Sequence, residues 1–165
     1  MYLRMLEQKD APLMLEWMHD PDVVKDLQAN FAAKTLGDCE NFIAHARLSE
    51  EDLHLAAVDE EDVYLGTVSL KHIDRRAGTA EFAITVRRCA MGTGAARQAM
   101  AAILEKGIRE LGLKEIFWCV DRRNVRAVRF YDKNGYERVR EVPDSWTEPY
   151  GSNLLTELLW YRYVG

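Results

Sequence analysis

The alternation of hydrophobic and polar positions is sharpest between Glu81 and Leu111, EFAITVRRCAMGTGAARQAMAAILEKGIREL. Phe82, Ile84 and Val86 alternate with smaller or polar neighbours at a period of two, which predicts a strand. The pattern breaks at Arg87-Arg88-Cys89 and crosses Gly92-Thr93-Gly94. From Ala96 onward, apolar residues recur at Ala99, Met100, Ile103, Leu104, Ile108 and Leu111, the stripe of a helix packed on one side. The order is strand, glycine turn, helix.

The rest of the chain follows the same two periods. Tyr2 to Leu6 reads as a first strand. Asp10 is placed to cap a helix that tolerates Pro12 in its first turn and buries Leu13, Met14, Trp17 and Met18. His19-Asp20-Pro21-Asp22 breaks it, a short helix is expected over Val23 to Leu27, and Asn30 to Lys34 reads as a loop. Thr35, with Asp38 three positions on, starts a helix whose inner face is Phe42, Ile43, Ala46 and Leu48. Strands are expected over Leu53 to Val58, Val63 to Ile73 and Thr79 to Val86, the last two joined by a hairpin turn at Asp74 to Gly78. After the central helix Gly112 is a C-cap candidate. Ile116 to Val120 is a nearly continuous apolar run, as expected of a buried strand. Asp121 to Asn124 turns, and Val125 to Lys133 is a short helix ending at Asn134-Gly135. Strands over Tyr136 to Val142 and Leu154 to Val164 flank a long loop, Pro143 to Ser152. No repeat or linker divides the chain. It reads as one α/β (α+β) domain over residues 1–165, with a mixed, mainly antiparallel sheet and flanking helices. The strand-helix-strand unit from Thr79 to Val120 makes its two strands parallel neighbours.

Composition narrows the function. The chain has 165 residues, 48% hydrophobic and 30% charged, which suits one soluble globular domain. A net charge of −5 argues against a nucleic-acid partner. Basic residues still cluster at Arg87-Arg88 and at Arg122, Arg123, Arg126 and Arg129, which fits a small anionic ligand better than a polymer. No stretch is long and apolar enough for a membrane span, and the N-terminus lacks a signal peptide's apolar core. Cys39, Cys89 and Cys119 are odd in number and far apart, suggesting free thiols in a reducing cytoplasm. The four histidines show no ligand spacing, so no metal is expected.

The glycine turn has a chemical use. The first N–H groups of a helix lack partners within it and sit at the positive end of its dipole. Gly92, Gly94, Ala95 and Ala96 leave room for an anion such as phosphate or pyrophosphate, and Arg87, Arg88 and Arg97 add positive charge. A plain strand-to-helix turn needing glycine for its geometry is the alternative. The stretch is not a Walker loop, since no Gly-Lys-Ser/Thr follows. Nor is it the dinucleotide fingerprint, since Arg97 stands where the third glycine belongs. Further on, Asn124 starts a helix and Tyr131 falls near its end. Asn124 reads as an N-cap or as a ligand-holding amide. Tyr131 reads as a core residue or, facing a cleft, as a proton donor.

The two constellations together resemble the GNAT superfamily of N-acetyltransferases, and within it the branch containing the ribosomal-protein alanine acetyltransferases. Gly92 and Gly94 match the family's Gln/Arg-x-x-Gly-x-Gly/Ala motif, with Cys89 in place of Gln/Arg. Asn124, Ala127, Tyr131, Gly135 and Tyr136 match its Asn-x-x-Ala/Ser-x-x-x-Tyr and Gly-Phe/Tyr pattern. The resemblance covers nearly the whole chain. It implies that the backbone of Met91, Gly92, Thr93, Gly94, Ala95 and Ala96 holds the pyrophosphate of acetyl-CoA. Thr85 and Val86 would pair with the pantetheine arm like an added strand, in a gap where the two central parallel strands splay apart. Asn124, with Ala127 of the same motif, would reach the pantetheine, and Arg126, Arg129 and Lys133 the adenosine 3′-phosphate. Tyr131 would protonate the leaving thiolate as the amine displaces it directly through a tetrahedral intermediate. Glu81, which begins the strand bordering the cleft, is the candidate base; it reads equally as a solvated residue of the sheet's polar face. Asp121 or a water chain is the alternative, because Cys119 occupies the position where some relatives carry a glutamate. Cys119 has no neighbouring histidine in sequence and reads as a structural thiol.

The acceptor is set by the N-terminal helices and the Pro143–Ser152 loop, where Trp146 and Tyr150 are candidate walls. Glu16-Trp17-Met18-His19-Asp20-Pro21 resembles a Trp-Arg-Asn-Asp-Pro segment of relatives that acetylate nucleotide-linked amino sugars, with Met18 and His19 replacing Arg and Asn. Three functions stand: transfer to a small-molecule amine or protein N-terminus, transfer to a nucleotide-linked amino sugar, or a non-catalytic CoA-binding module. A monomer or homodimer is expected, with the apolar last strand able to join another chain's sheet edge.

Overall fold

A computed structural model describes residues 1–27 and 29–165. In chain order the strands are β1 (Tyr2–Met5), β2 (Leu53–Val58), β3 (Tyr64–Asp74), β4 (Thr79–Val86), β5 (Glu115–Asp121), β6 (Glu137–Val139) and β7 (Leu158–Val164). The α-helices are α1 (Ala11–Met18), α2 (Pro21–Val24), α3 (Leu36–Ala46), α4 (Ala95–Arg109), α5 (Val125–Lys133), α6 (Asp144–Thr147) and α7 (Ser152–Leu155). The strands form one mixed sheet in the order β1-β2-β3-β4-β5-β7-β6. Every neighbouring pair is antiparallel except β4 and β5, the parallel pair expected from the crossover.

The apolar stripe of α4 explains how the crossover packs. Ala99, Met100, Ile103 and Leu104 are fully buried against Leu70, Ala80, Phe82, Ile116 and Trp118, and α5 adds Tyr131 to the same face. Burial of each large aliphatic side chain there contributes roughly 1.5–3 kcal/mol. Gly107 lets α4 approach closely, since a Cβ there would lie 2.8 Å from Ile116 Cδ1 and 2.9 Å from Leu70 Cδ1. Gly112 and Gly135 take the left-handed conformation just beyond α4 and α5, as the stop signals indicated.

The opposite face carries two separate lobes. Leu6, Trp17, Ile43, Ala56, Val58 and Tyr64 pack α1–α3 over β2 and β3. Phe117, Trp146, Leu158 and Trp160 pack the α6–α7 segment over β5 and β7. Between the lobes lies a strip of β3 and β4. Their cross-strand pairs Thr67–Thr85, Ser69–Ala83 and Lys71–Glu81 floor a trough on this face.

Several local expectations are corrected. Asp10 does not cap α1 with its side chain; its carboxylate accepts from the Glu7 N–H at 2.9 Å and pairs with the Arg4 guanidinium at 2.8 Å. His19-Asp20-Pro21-Asp22 does not only break a helix. Asp20 caps α2 and Pro21 occupies its first turn, so the helix covers Pro21–Val24 instead of Val23–Leu27. Phe31–Ala33 form a 3-10 turn where a loop was expected. The capping box of Thr35 and Asp38 is present, yet Cys39 and Ile43 are the buried residues of α3, while Phe42 and Leu48 are exposed. At the C-terminus Leu154 and Leu155 belong to a helical turn, not a strand, and β6 is three residues long. A short apolar run fits either period, and here packing against Trp146 and Trp160 selects the helix. The last strand lies between β5 and β6, so it is no free edge for another chain; the edges are β1 and β6.

Candidate active site

The site begins where β4 and β5 part. They pair only through Thr79–Glu115, Ala80–Ile116 and Glu81–Phe117. Beyond that point β4 stays paired with β3 up to Val86, and β5 with β7 up to Asp121. The strands therefore splay, leaving an opening between Phe82–Val86 and Trp118–Asp121. The Arg87 N–H donates to the Leu65 carbonyl at 2.8 Å, so Thr85 and Ala83 also direct their backbone groups to β3. By alternation Ile84 and Val86 present theirs to the opening, where an extended ligand can pair with them. Thr85, expected to share this role, instead lines the trough with its side chain.

The glycine turn stands at the open end of β4. Gly92 and Gly94 take positive φ of 75° and 86°, a conformation that costs other residues about 1–2 kcal/mol. Added side chains would meet nothing within 4 Å at Gly92, and at Gly94 only the tips of Arg97 and Gln98 at 3.9 Å. Thr93 closes the turn by donating its hydroxyl to the Ala90 carbonyl at 2.6 Å and accepting from the Ala95 N–H at 3.3 Å. The Met91 and Thr93 N–H groups bond back to Arg88 and Ala90. Among the described residues, the N–H groups of Gly92, Gly94, Ala96 and Arg97 have no partner, so these donors are the ones able to take an anion. The expected cradle from Met91 to Ala96 is thus narrowed to alternate residues and extended by one.

Charge around this turn differs from expectation. Arg87 pairs with Glu16 at 3.0 Å and also donates to the Tyr64 carbonyl, and Arg88 pairs with Asp20 and Asp22. Neither is free to serve an anion in this structure. Arg97 has no ion pair among the described residues, and its guanidinium lies beside Gly94. Arg126 donates to the Asp22 carbonyl and rests on Met91 Sδ, joining α5 to the turn.

Asn124 caps α5, its side-chain oxygen accepting from the Ala127 N–H at 3.2 Å. This leaves the amide NH₂ as the part able to reach a ligand. Tyr131 is buried among Trp118, Phe130 and Tyr161 on the α4 face. Its hydroxyl has no hydrogen-bond partner among the described residues, yet it is not among the sealed unpartnered polar atoms, where Trp118 Nε1 is found. The ring is therefore in the core, and the oxygen is not sealed off completely. Burial pushes its pKa well above the ordinary phenol value, so the group holds its proton.

Glu81 is the last residue of β4 to pair with β5, at the vertex of the opening. Its carboxylate faces the trough but is 5% exposed, which removes the reading of a solvated surface residue. Lys71 Nζ lies 3.2 Å from Oε1, and the Tyr150 hydroxyl donates to the same oxygen at 3.2 Å. Tyr150 comes from between α6 and α7 and packs edge-on to Trp160, while Trp146 stacks on Phe117. Sequence reasoning placed Tyr150 near the acceptor but missed Lys71; its only signal is the strand register. Cys119 lies beside this cluster, and burial pushes its thiol up to about 11, so it is no nucleophile at neutral pH. Asp121, the alternative base, is bound to Arg123 by its backbone and guanidinium; that contact holds its carboxyl down at about 2. Glu81 and Tyr131 thus lie on opposite faces of the sheet, Glu81 with Lys71 and Tyr150 and Tyr131 in the core under α4 and α5. A separate cavity of about 580 Å³, lined by Arg122, Arg140, Val142 and Leu155 among others, includes none of these residues.

Comparison with known proteins agrees with this geometry. A family model described as the acetyltransferase (GNAT) domain matches residues 1–137, and the chain belongs to that family. It is an acyltransferase. A curated relative, the uncharacterized N-acetyltransferase p20 of Bacillus licheniformis, is 24% identical over 139 residues, 82% of this chain and 78% of its own. The spermidine N-acetyltransferase of Vibrio cholerae, solved with CoA and spermine, shares the fold with a TM-score of 0.80 at 19% identity, covering 99% of this chain and 94% of that one. A GNAT-family acetyltransferase of Bacillus anthracis has a TM-score of 0.77 at 20% identity, with 98% and 93% covered. The matches establish the family without singling out the ribosomal-protein branch. Among the described residues no helix is long and apolar enough to cross a membrane, and no cluster of metal-ligating side chains is found.

Proposed function

We propose that this chain transfers the acetyl group of acetyl-CoA to a primary amine on a small molecule or a protein N-terminus. The observation that carries this reading is the parting of β4 from β5 just beyond Glu81, with the glycine cradle at the open end of β4. The unpartnered N–H groups of Gly92, Gly94, Ala96 and Arg97 suit a pyrophosphate, and Ile84 and Val86 suit the amide-bearing arm that follows it. Bound acetyl-CoA supplies the activated acyl carbon. Around it, Glu81 takes a proton from the acceptor amine through the trough. Tyr131 keeps its phenol protonated and gives that proton to the leaving sulfur. A backbone N–H facing the opening, such as that of Ile84, hydrogen-bonds the carbonyl oxygen as negative charge develops there.

The acceptor is a positively charged amine before it reacts, and a buried carboxylate at the vertex of the opening fits it. The structurally similar spermidine acetyltransferase also acts on an amine. The nucleotide-sugar reading finds no phosphate-binding group in its segment: Met18 is in the core and the Trp17 indole donates to the Tyr64 hydroxyl at 2.9 Å. A panel of primary amines and N-terminal peptides, read by release of the CoA thiol, tests the reading. Turnover abolished in Tyr131→Phe with acetyl-CoA affinity retained is the expected result. Absence of turnover with every amine, despite tight acetyl-CoA binding, would favour a binding module instead.

A further inference from the structure

We infer that Lys71 determines acceptor specificity: it is a resident cation that orients Glu81 and turns away acceptors carrying a second positive charge. The acceptor is then a monoamine whose neighbouring group is neutral or anionic. This rests on the reading that Glu81 receives the acceptor amine.

The argument starts from the carboxylate's two oxygens. Oε1 accepts from the Tyr150 hydroxyl at 3.2 Å and pairs with the Lys71 ammonium, its Nζ also 3.2 Å away. Among the described residues Oε2 has no partner. The carboxylate is therefore held by one oxygen and offers the other. Lys71 is placed opposite Glu81 by the β3–β4 register, with its side chain 34% exposed, so its ammonium touches both the carboxylate and the trough.

The charges that face Glu81 come from three elements. β3 supplies the Lys71 ammonium, β5 the Cys119 thiol, and the α6–α7 segment the Tyr150 hydroxyl. The last two are neutral at physiological pH. One cation and one anion cancel, so the cluster has no net charge before an acceptor arrives. Other acids nearby are committed elsewhere. Asp52 accepts from the His72 N–H and lies 3.7 Å from His54, while Glu16 holds Arg87. Glu81 is buried while Lys71 is half-exposed, and a carboxylate taken out of water gains little stability from such a pair. Its presence on the floor of the trough therefore calls for a role in binding.

An amine on Oε2 would stand within roughly 6 Å of the Lys71 nitrogen, close enough for like charges to disfavour its protonated form. Lys71 thus promotes the neutral amine, which is the form that attacks. A diamine brings a second ammonium toward Lys71, the cation paired with Glu81. An acceptor with a carboxylate or carbonyl near its amine meets the same ammonium favourably.

A three-carbon series isolates the effect: propylamine, 3-aminopropanoate and 1,3-diaminopropane. Initial rates with acetyl-CoA are measured by thiol release. Compounds that do not turn over are titrated calorimetrically into the CoA-bound protein. For the wild type the diamine is expected to be the poorest, by at least about tenfold relative to the monoamine, since like-charge juxtaposition is strongly disfavoured. Lys71→Met, or Lys71→Gln where Met folds poorly, is expected to erase that ratio, and Lys71→Arg to keep it. The ratio is insensitive to a fraction of unfolded protein, which lowers all three rates alike. No discrimination across the series, or a ratio unchanged in Lys71→Met, would overturn the inference. Glu81→Gln separates the two levels. If it leaves all three compounds unaffected, the assignment of Glu81 fails; if it abolishes them while Lys71→Met leaves the ratio intact, only the role of Lys71 fails.

Discussion

The ring of Tyr131 belongs to the core, and its hydroxyl is the proposed proton donor. Tyr131→Phe keeps the aromatic contacts with Trp118 and Tyr161, so melting is expected to move little while turnover falls about a hundredfold or more. Steady-state kinetics beside a thermal melt check both halves. The cysteines make a second residue-scale test. Burial favours the neutral thiol, so Cys119 forms thiolate only as pH approaches about 11. Cys39 is buried and its thiol is likewise raised by desolvation, whereas Cys89 is exposed. Alkylation at pH 8, mapped by mass spectrometry, should modify Cys89 and spare the other two. Labelling of Cys119 at a similar rate would contradict its assignment as an inert thiol. Local geometry was legible in the sequence where a motif fixed the spacing, as at the Gly92 and Gly94 turn and the Asn124 cap. It was not legible where a partner lies far along the chain. Arg87 and Arg88 looked free to bind phosphate, and nothing local shows that Glu16, Asp20 and Asp22 hold them from about 70 residues away.

At the scale of elements, the splay of β4 from β5 depends on how firmly each is held by its other neighbour. Gly66 sets the β3–β4 side. A Cβ there would lie 2.5 Å from the Thr85 carbonyl oxygen and 2.8 Å from Val86 Cα, backbone atoms that cannot move aside alone. Gly66→Ala is expected to destabilise by about 1–3 kcal/mol, as overpacking does. It should also weaken acetyl-CoA binding, because it displaces Val86 at the rim of the opening. Denaturant unfolding and a cofactor titration would show the two losses together. Unchanged affinity in a folded Gly66→Ala protein would mean that Val86 does not line the cofactor's path. The long periodic elements, α4 and the β3–β4 hairpin, could be read from sequence because one period runs through many residues. The segment from Tyr136 to Glu157 could not. Its apolar residues are few, and the α6–α7 turns gain their order from Trp146 and Trp160 packing on Phe117, contacts that the local pattern does not encode.

For the whole molecule, the order of strands was the least legible property. The crossover rule gave the parallel pair, but nothing in the last strand says that it inserts between β5 and β6. That insertion closes off the edge an apolar strand would otherwise offer. It also brings Trp160 under Tyr150, and so helps hold the hydroxyl that meets Glu81. The net charge of −5 favoured a small anionic ligand over a polymer, and the unpartnered backbone N–H groups of the glycine turn, with Arg97 beside them, are a local feature. The central claim is that this cradle and opening take acetyl-CoA. Thermal unfolding with and without the cosubstrate tests it most directly. At about a hundredfold excess over the dissociation constant, binding to the native state alone adds about 2.7 kcal/mol. For a domain of this size that raises the midpoint by roughly 5–10 °C. Gly92→Ala, whose added Cβ would meet no protein atom within 4 Å, should melt cooperatively at a midpoint lowered by its positive φ and show a smaller shift with acetyl-CoA. A wild-type midpoint unmoved by either acetyl-CoA or CoA would contradict the account at its base.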